Sequence, residues 1–257
     1  MADGFIIRRG GSSSRDSVAN SYLPTFTYTG TCRLIDDENG NWRIKFFTSG
    51  TLKFTKLAST SVDIFCVGAG GGGNGGGGGG GGYTKTVNAE TLTTGTSYTI
   101  TIGAGGYRAT GGTSSFGSLN KAAGGYVAGQ AGGNGGSGGG GYYYGGAANT
   151  VAGGYDGGNG LSHLTSLIGK GQKEVSGPNG ENGTTREFGE TTGDLYAGGG
   201  AGETYSSTTG LLGGYGGGGR SYGYEKHGDP GTKNTGGGGG ARYSTGGTGI
   251  VIIRNAR

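Results

Sequence analysis

The chain has 257 residues, of which 73 are glycine, and its formal net charge is +4. Glycine at this frequency without a Gly-X-Y period, and with only three prolines, excludes a collagen triple helix. The basic residues are scattered rather than gathered into a run, so the charge does not indicate a nucleic-acid partner.

Residues 1–27 are polar and rich in serine, with no clear period. The apolar stretch after Met1 is short and Arg8 and Arg9 follow it, so no signal peptide is predicted. No apolar run in the chain approaches the roughly 18 residues of a membrane span, so no membrane insertion is expected. We interpret 1–27 as an N-terminal arm or attachment segment on a product made in a cytoplasm.

Alternation of apolar and polar residues begins near Tyr28. Trp42, Ile44 and Phe46 fall on one side of an alternating run, which is typical of a strand with one buried face. Asn39-Gly40 precedes this run and follows another apolar run, and that dipeptide favours a tight turn. The sequence therefore predicts a β-hairpin here.

Four further segments read as strands, and the first of them, 51–55, alternates. Residues 62–67 are apolar on both faces apart from one acidic residue, as in a central strand, and 97–102 alternate. The apolar segment 250–253 would make an aggregation-prone edge if left in water, so it must pair with distant strands. The sequence predicts an all-β fold, a small β-sandwich formed by 28–105 plus 246–257, with the glycine-rich region inserted between strands.

The glycine-rich region covers 68–82 and 103–249. A flexible linker is the default interpretation of such sequence. The alternative is a bundle of polyglycine II helices, which have three residues per turn and hydrogen-bond only to neighbouring helices. Sixteen tyrosines and eight phenylalanines are unusual in a linker, and residue 250 must return to the sheet. The pattern therefore favours the bundle, held at its ends by the sandwich because ordering glycine is costly.

No motif predicts an enzyme. The run 68–73 matches G-x-G-x-x-G after a strand, but a dinucleotide site needs a helix there, and polyglycine is a poor helix former. The two histidines, His163 and His227, accompany neither a nucleophile motif nor zinc-ligand spacing. Cys32 and Cys66 could form one disulfide, but nothing indicates a secreted disulfide scaffold. We expect no catalytic residue, no metal site and no cofactor.

Tyrosines at turns between glycine runs are the candidate binding residues. On a rigid support they provide contact area at low entropic cost and bind sugars or proteins. Their alternative role is to cover the flanks of the bundle. The candidates are Tyr107, Tyr142, Tyr143, Tyr144, Tyr205, Tyr215, Tyr222 and Tyr224.

Five motifs taken together resemble glycine-rich proteins encoded by phages and prophages of gut bacteria. They are WRIKFFTSG at 42–50, VDIFCVGAG at 62–70, YTITIGAG at 98–105, TTREFGE at 184–190 and GIVIIR at 249–254. The architecture is similar to the tumour-necrosis-factor-like (TNF-like) jelly-roll sandwich with polyglycine helices in the anaplastic lymphoma kinase ectodomain family. It also resembles phage fibre-tip adhesins, although the loops here are longer and less regular.

The resemblance implies a non-enzymatic phage virion protein, located in the virion after synthesis in the bacterial host cytoplasm. It implies a tail-fibre or tail-tip component that binds a host-surface glycan or protein. Residues 1–27 would join it to other tail or baseplate proteins, and a homo-oligomer such as a trimer is expected by analogy. The alternative is a purely structural virion part, such as a capsid decoration, head fibre or baseplate component, without a ligand.

Overall fold

The fold was analysed in a computed structural model, which describes residues 6–7, 22–129, 132–141, 186–190, 192–203, 211–222 and 226–257. Within these residues the fold is all-β, with two sheets packed face to face and no α-helix. The predicted all-β class is therefore confirmed.

The first sheet contains six strands. They are β1 (Ile6–Ile7), β3 (Cys32–Glu38), β4 (Asn41–Phe46), β6 (Ser61–Val67), β7 (Thr84–Thr91) and β11 (Ile250–Asn255). Their spatial order is β1-β3-β4-β11-β6-β7. Neighbouring strands are antiparallel except for β1, which pairs in parallel with β3. The C-terminal strand thus lies between β4 and β6, which confirms the predicted long-range pairing.

The second sheet contains five antiparallel strands. They are β2 (Thr25–Tyr28), β5 (Gly50–Lys56), β8 (Ser97–Thr101), β9 (Ser114–Phe116) and β10 (Asn120–Ala122). Their order is β10-β9-β8-β5-β2. The sequence pattern did not predict β9 and β10, which are three residues each and lie inside the glycine-rich range 103–249.

Local pattern and structure agree in the hairpin β3–β4. Asn39 and Gly40 both have positive φ, at 52° and 84°, as the tight turn requires. Trp42, Ile44 and Phe46 are buried and the intervening residues are partly exposed. In β6 every residue after Ser61 is buried, as expected for a central strand.

The main core lies between the two sheets. Its largest fully buried side chains include Trp42, Phe46, Phe54 and Phe116, which come from both sheets. Tyr22 and Leu23 pack against this core. The chain therefore contacts the core from residue 22 onwards, ahead of β2.

A second, smaller core covers the outer face of the first sheet. Phe65 and Ile252 pack there against Tyr196 and Ala197 of the glycine-rich region, with Phe188 at the margin. The ring of Phe65 lies 5.6 Å from that of Tyr196. Both faces of the first sheet are therefore covered, one by the second sheet and one by the insert.

The glycine-rich residues that the structure describes are ordered by hydrogen bonds between segments. Tract 1 (68–73) follows β6, and tract 2 (78–83) leads into β7. Every third amide of tract 1 donates to the same neighbour. The first and fourth donate to tract 2, the second and fifth to 109–112, and the third and sixth to 244–247. Tract 2 repeats this pattern with three neighbours of its own.

Tract 2 is enclosed by six segments, each hydrogen-bonded to the next around a closed ring. These segments are 68–73, 123–126, 132–136, 137–141, 197–201 and 236–240. We call the hydrogen-bonded set the glycine lattice. It comprises 68–73, 78–83, 103–106, 109–112, 123–128, 132–141, 197–203, 211–221, 228–232 and 236–247.

Backbones in the lattice approach too closely for side chains. A Cβ added to Gly80 would lie closer than 3.0 Å to the carbonyl oxygens of Gly133 and Asn134. At Gly71 it would meet carbonyl oxygens of 125–126 within the same limit. Glycine is required here because the neighbouring main chain occupies the space of a side chain.

Candidate functional site

The lattice has two ends, and the one far from the sandwich is built from turns. Tract 1 leaves β6 and tract 2 returns to β7, so the intervening turn at 74–77 marks the far end. Arg242 and Glu203 donate backbone hydrogen bonds to this turn. Tyr107 forms a bridge with Thr245 close by. We call this end the distal face; its described side chains include Tyr107, Arg108, Glu203, Tyr222, His227, Asp229, Arg242 and Tyr243.

Three distal-face residues have a left-handed backbone. The φ angles are 49° at Arg108, 59° at Arg242 and 63° at Tyr243. This conformation costs a non-glycine residue about 1 kcal/mol, and glycine adopts it freely. In a chain so rich in glycine, three large side chains nevertheless occupy these positions. Six other described non-glycine residues also have positive φ, so strain alone does not distinguish this face. The distal face is the candidate surface because three such residues with large side chains meet there, and strain of this kind occurs at functional sites.

Two of these residues stack on each other. The Arg108 guanidinium lies 4.5 Å from the centre of the Tyr243 ring, within the range of a cation–π contact. The His227 ring lies 5.8 Å from the same tyrosine. The three side chains come from separate turns, so their contacts tie those turns together and present an aromatic and cationic cluster.

An ion pair supports the third strained residue. Arg242 Nε lies 3.1 Å from both carboxylate oxygens of Glu203. Glu203 is only 2% exposed, so its charge needs this partner. The guanidinium is thereby held in a defined orientation at the edge of the distal face.

Tyr222 is held by Asp229 on the same face. Its hydroxyl donates a hydrogen bond of 3.0 Å to the Asp229 carboxylate. This hydrogen bond, with a smaller contribution from desolvation, raises the pKa of the Tyr222 hydroxyl. The phenol is therefore a fixed, neutral hydrogen-bonding group rather than a free rotor.

The structure separates the predicted tyrosines. Tyr107 is 59% exposed on the distal face, and Tyr222 is half-buried there. Tyr215 is 54% exposed but lies at the opposite end, beside the sandwich. Tyr142, Tyr143, Tyr144, Tyr205 and Tyr224 lie outside the described residues.

Sequence reasoning did not single out Arg108, Arg242 or Tyr243. His227, which belongs to no nucleophile or zinc motif, is exposed on this face. A usable signal was present, since Tyr107-Arg108 and Arg242-Tyr243 each interrupt a glycine-rich run with an arginine beside a tyrosine. These pairs are overlooked when each tyrosine is considered without its neighbour in sequence. Their left-handed backbone depends on which segments the turns join.

The end of the lattice next to the sandwich is fixed by a buried ion-pair network. Glu187 is 4% exposed and contacts Arg43, Lys45 and the hydroxyl of Tyr196. Arg254 of β11 bonds Glu190 at 2.7 Å and Asp63 of β6 at 3.0 Å. These bonds anchor 186–190 and 192–196 to the outer face of the first sheet, and we call them the anchor network.

Burial at this end of the lattice changes the acidity of the Tyr196 hydroxyl. Desolvation, together with the neighbouring Glu187 charge, raises the pKa of the Tyr196 hydroxyl. Tyr196 therefore donates to Glu187 as a neutral phenol, at 2.6 Å.

The two cysteines, which could have formed a disulfide, are both free thiols: Cys32 and Cys66.

Among the residues that the structure describes, no group of three or more His, Cys, Asp or Glu side chains could hold a metal ion. Nor is any helix in the described ranges long and apolar enough to cross a membrane. The groups available at the distal face are aromatic rings, guanidinium groups and hydroxyls, which bind by stacking and hydrogen bonding.

A β-sandwich that carries an ordered glycine-rich insert is the class of protein that this fold defines. A family model described as a glycine-rich domain matches residues 47–256. Because that match covers most of the chain, the protein belongs to the glycine-rich domain family. No curated protein and no solved structure matches the chain.

Proposed function

We propose that the lattice segments are polyglycine II helices and that the two sheets form a TNF-like jelly-roll sandwich. The repeat of three residues in the amide donors of tracts 1 and 2 supports the first part, because a polyglycine II helix has three residues per turn. The ring of six segments around tract 2 also supports it, because helices without side chains can pack with six close neighbours. The insertion of β11 between β4 and β6 supports a jelly-roll connection.

We further propose that the protein is a non-enzymatic phage virion component, in a tail fibre or tail tip, that binds the host cell surface. The observation that carries this proposal is the distal face, where Arg108, Arg242 and Tyr243 hold a left-handed backbone at the end of the lattice. The ligand would be a host-surface glycan or protein. Aromatic and guanidinium groups are enriched where proteins recognise such partners.

Rigidity of the support is the physical reason that this arrangement suits binding. Each tract is bonded to several others, so the turns at the distal face have little freedom left to lose. Tyrosine and arginine held in this way bind with a small entropic cost. A loop on a flexible linker would have to order itself at the moment of binding.

A purely structural virion part, without a ligand, is the second candidate. It is favoured by the contacts that several rings already make. Tyr222 is bonded to Asp229, and Tyr243 lies between Arg108 and His227. Rings engaged in this way cover lattice flanks. A capsid decoration, head fibre or baseplate component would need nothing more.

Adsorption measurements on phage particles separate the two candidates. In one variant Tyr142, Tyr143 and Tyr144 become serine, and in another Tyr107→Ser is combined with Arg108→Ser. A binding role predicts that the adsorption rate falls at least about tenfold in either variant. Tyr126→Ser is the matched control, because Tyr126 is 53% exposed but lies along the side of the lattice in 123–128. Wild-type adsorption in both variants would support the structural part instead.

The attachment role of the arm has its own test. Deletion of residues 2–20 removes the two-residue edge strand β1 with the rest of the arm, and it should abolish incorporation into particles. The core of the sandwich should stay folded, because Tyr22 and the residues after it pack on that core. Incorporation at the wild-type level would overturn attachment through 1–27.

The proposed homo-oligomer is tested by measuring the mass of the isolated chain in solution by light scattering. A monomeric mass would exclude a trimer.

A further inference from the structure

A cleft of about 800 Å³ opens where the glycine lattice meets the sandwich. Its walls come from the outer face of the first sheet, from 193–196 and from the turns at 215–217 and 232–235. This volume lies in the range of small-molecule sites and can hold a short saccharide. No distal-face residue lines it, so the cleft is separate from the surface proposed for host binding.

The charge lining this cleft is predominantly positive. Its basic side chains are Arg33, Lys45, Arg186 and Lys233, and its acidic side chain is Asp194. The Asp194 side chain is 74% exposed, so water screens its charge. Lys45 is paired with Glu187 and Asp194. The three remaining cations, Arg33, Arg186 and Lys233, create a positive potential inside a concave surface, which attracts anions.

Two arginines of the cleft each have a buried donor with no acceptor. The Nε atoms of Arg33 and Arg186 are buried without a hydrogen-bond partner. Arg33 also stands directly opposite Lys45 in the β3–β4 pair, where like charges repel. Glu187 and Asp194 compensate Lys45, but Arg33 forms no ion pair with any residue in the described ranges. The buried Nε atoms themselves are closed to a ligand, so anionic oxygens would bind the terminal nitrogens of these guanidinium groups.

An aromatic wall stands next to these charges. Tyr215, more than half exposed, lines the same cleft as Arg33 and Lys233. Backbone groups of 215–217 are held by the lattice, since Gly216 and Gly217 accept amide hydrogen bonds from neighbouring segments. An aromatic ring on a backbone held in this way, in the same cleft as guanidinium groups, is suited to a sugar ring that carries an acidic group.

We propose that this cleft binds an acidic saccharide. Arg33, Arg186 and Lys233 would receive the carboxylate or phosphate oxygens, and Tyr215 would contact the sugar ring. The proposal does not depend on the distal face, because the two surfaces lie at opposite ends of the lattice. A failure of adsorption through the distal face would leave this site untouched, and the reverse also holds.

Calorimetric titration of the full chain tests the site with defined probes. Digalacturonate supplies carboxylates, glucose 6-phosphate supplies a phosphate, and maltose is the neutral control. We expect saturable binding of at least one acidic probe and binding of maltose at least about tenfold weaker. Backbone amide shifts in the nuclear magnetic resonance spectrum should move at 33, 186, 215 and 233. No saturable binding of either acidic probe, or equal affinity for maltose, would overturn the proposal.

Paired charge variants separate a built site from general attraction. The double variant Arg33→Gln with Lys233→Gln should lower affinity for the acidic probe at least about tenfold. The control, Lys53→Gln with Lys121→Gln, removes the same charge from exposed positions on the second sheet and should change affinity by less than about twofold. An equal loss of affinity in both double variants would show that the cleft is not the binding site. Tyr215→Ser should weaken digalacturonate but leave inorganic phosphate unchanged, and thermal unfolding verifies that each variant is folded.

Discussion

The sandwich and the glycine lattice are stabilised in opposite ways. In the sandwich, large side chains such as Trp42 and Phe46 fill the space between two sheets. In the lattice the main chains themselves are in contact, and around Gly80 there is no room for even a methyl group. The comparison shows that one chain can contain a core made by side chains and a core made by their absence.

The difference also explains why the two regions occur together. The lattice buries little apolar area, and ordering each glycine is costly. Its tracts leave from β6, return to β7 and end at β11, which are neighbouring strands of the first sheet. The sandwich fixes the ends of tracts 1 and 2 that join β6 and β7, and the anchor network adds Glu187 as a further attachment. We expect the lattice to depend on the sandwich for its stability.

The largest expected effect comes from removing volume in the sandwich. Phe46 is fully buried and its ring lies 4.9 Å from that of Tyr28. Phe46→Ala should lower the free energy of unfolding by about 4 kcal/mol, because it removes buried area and leaves a cavity. Urea denaturation measures this. Tyr126→Ala, at an exposed ring on the lattice, should change stability by less than about 0.5 kcal/mol, and a similar loss in both variants would contradict the contrast.

Breaking the anchor network should have the next largest effect. Glu187→Gln leaves Arg43 and Lys45 without their most buried acidic partner and should cost about 3 kcal/mol. The matched control is Asp194→Asn, which removes an exposed carboxylate 3.2 Å from the same Lys45 and should cost less than about 1 kcal/mol. Hydrogen exchange should show that amides at 197–201 lose protection before those of β6 in the Glu187 variant. Equal losses in both regions would mean that the network does not specifically hold the lattice.

The lattice should be destabilised by a larger side chain, whereas the sandwich is destabilised by a smaller one. Gly80→Ala places a methyl group against main-chain carbonyls and should cost about 2 kcal/mol. Gly129→Ala is the control, because nothing lies within 4 Å of a Cβ at that position. It should be neutral, or stabilising by about 0.5 kcal/mol through the unfolded chain. If both changes had the same effect on the denaturation midpoint, close backbone packing would not be what stabilises the lattice.

Alkaline pH should weaken the junction between the two regions. The pKa of Tyr196 is raised in the folded chain, so the native state keeps this proton where the unfolded state has lost it. Stability that depends on the neutral phenol is complete below the unfolded pKa of about 10 and falls as the pH rises above it. Tyr196→Phe should lose about 1.5 kcal/mol at neutral pH, together with the bond to Glu187. Above pH 10 its free energy of unfolding should decline less steeply than that of the wild type.

The smallest expected effect concerns thiol reactivity in the sandwich. Burial raises the pKa of Cys66 to about 12 and that of Cys32 to about 11. Since the thiolate is the reactive form, both should react slowly with a disulfide reagent at neutral pH, and Cys66 only after unfolding. Reaction of both thiols in denaturant is the control. Rapid labelling of Cys66 in the native chain would show that the sandwich opens locally.

Much of the sandwich was predictable because its signals are local. Period-two alternation around Trp42 and the dipeptide Asn39-Gly40 depend only on neighbouring residues, and the hairpin formed as expected. In contrast, β9 and β10 are three residues long and have no alternating apolar run. Their pairing is stabilised by burial of Phe116 in a core built from distant segments, so sequence reasoning did not find them.

For the candidate site, the sequence indicated the type of residue involved but not which residues form the site. Tyrosine-bearing turns were expected to carry recognition, and Tyr107 does lie exposed on the distal face. Its neighbour Arg108 and the pair Arg242-Tyr243 were not found, because their importance comes from backbone angles and contacts between separate turns. Tyr215 belongs to the same sequence pattern yet lies in the cleft beside the sandwich.

The sequence by itself determined that the fold is all-β, where the central strands lie, and that the glycine runs differ from an ordinary linker. These properties depend on side-chain period and composition, which are readable along the chain. Only the tertiary structure decided which segments surround tract 2, and which end of the lattice each tyrosine occupies. Glycine carries no side chain to specify a partner, so the neighbours of a glycine tract depend on the strand or turn that it leaves and on the segments that pack around it.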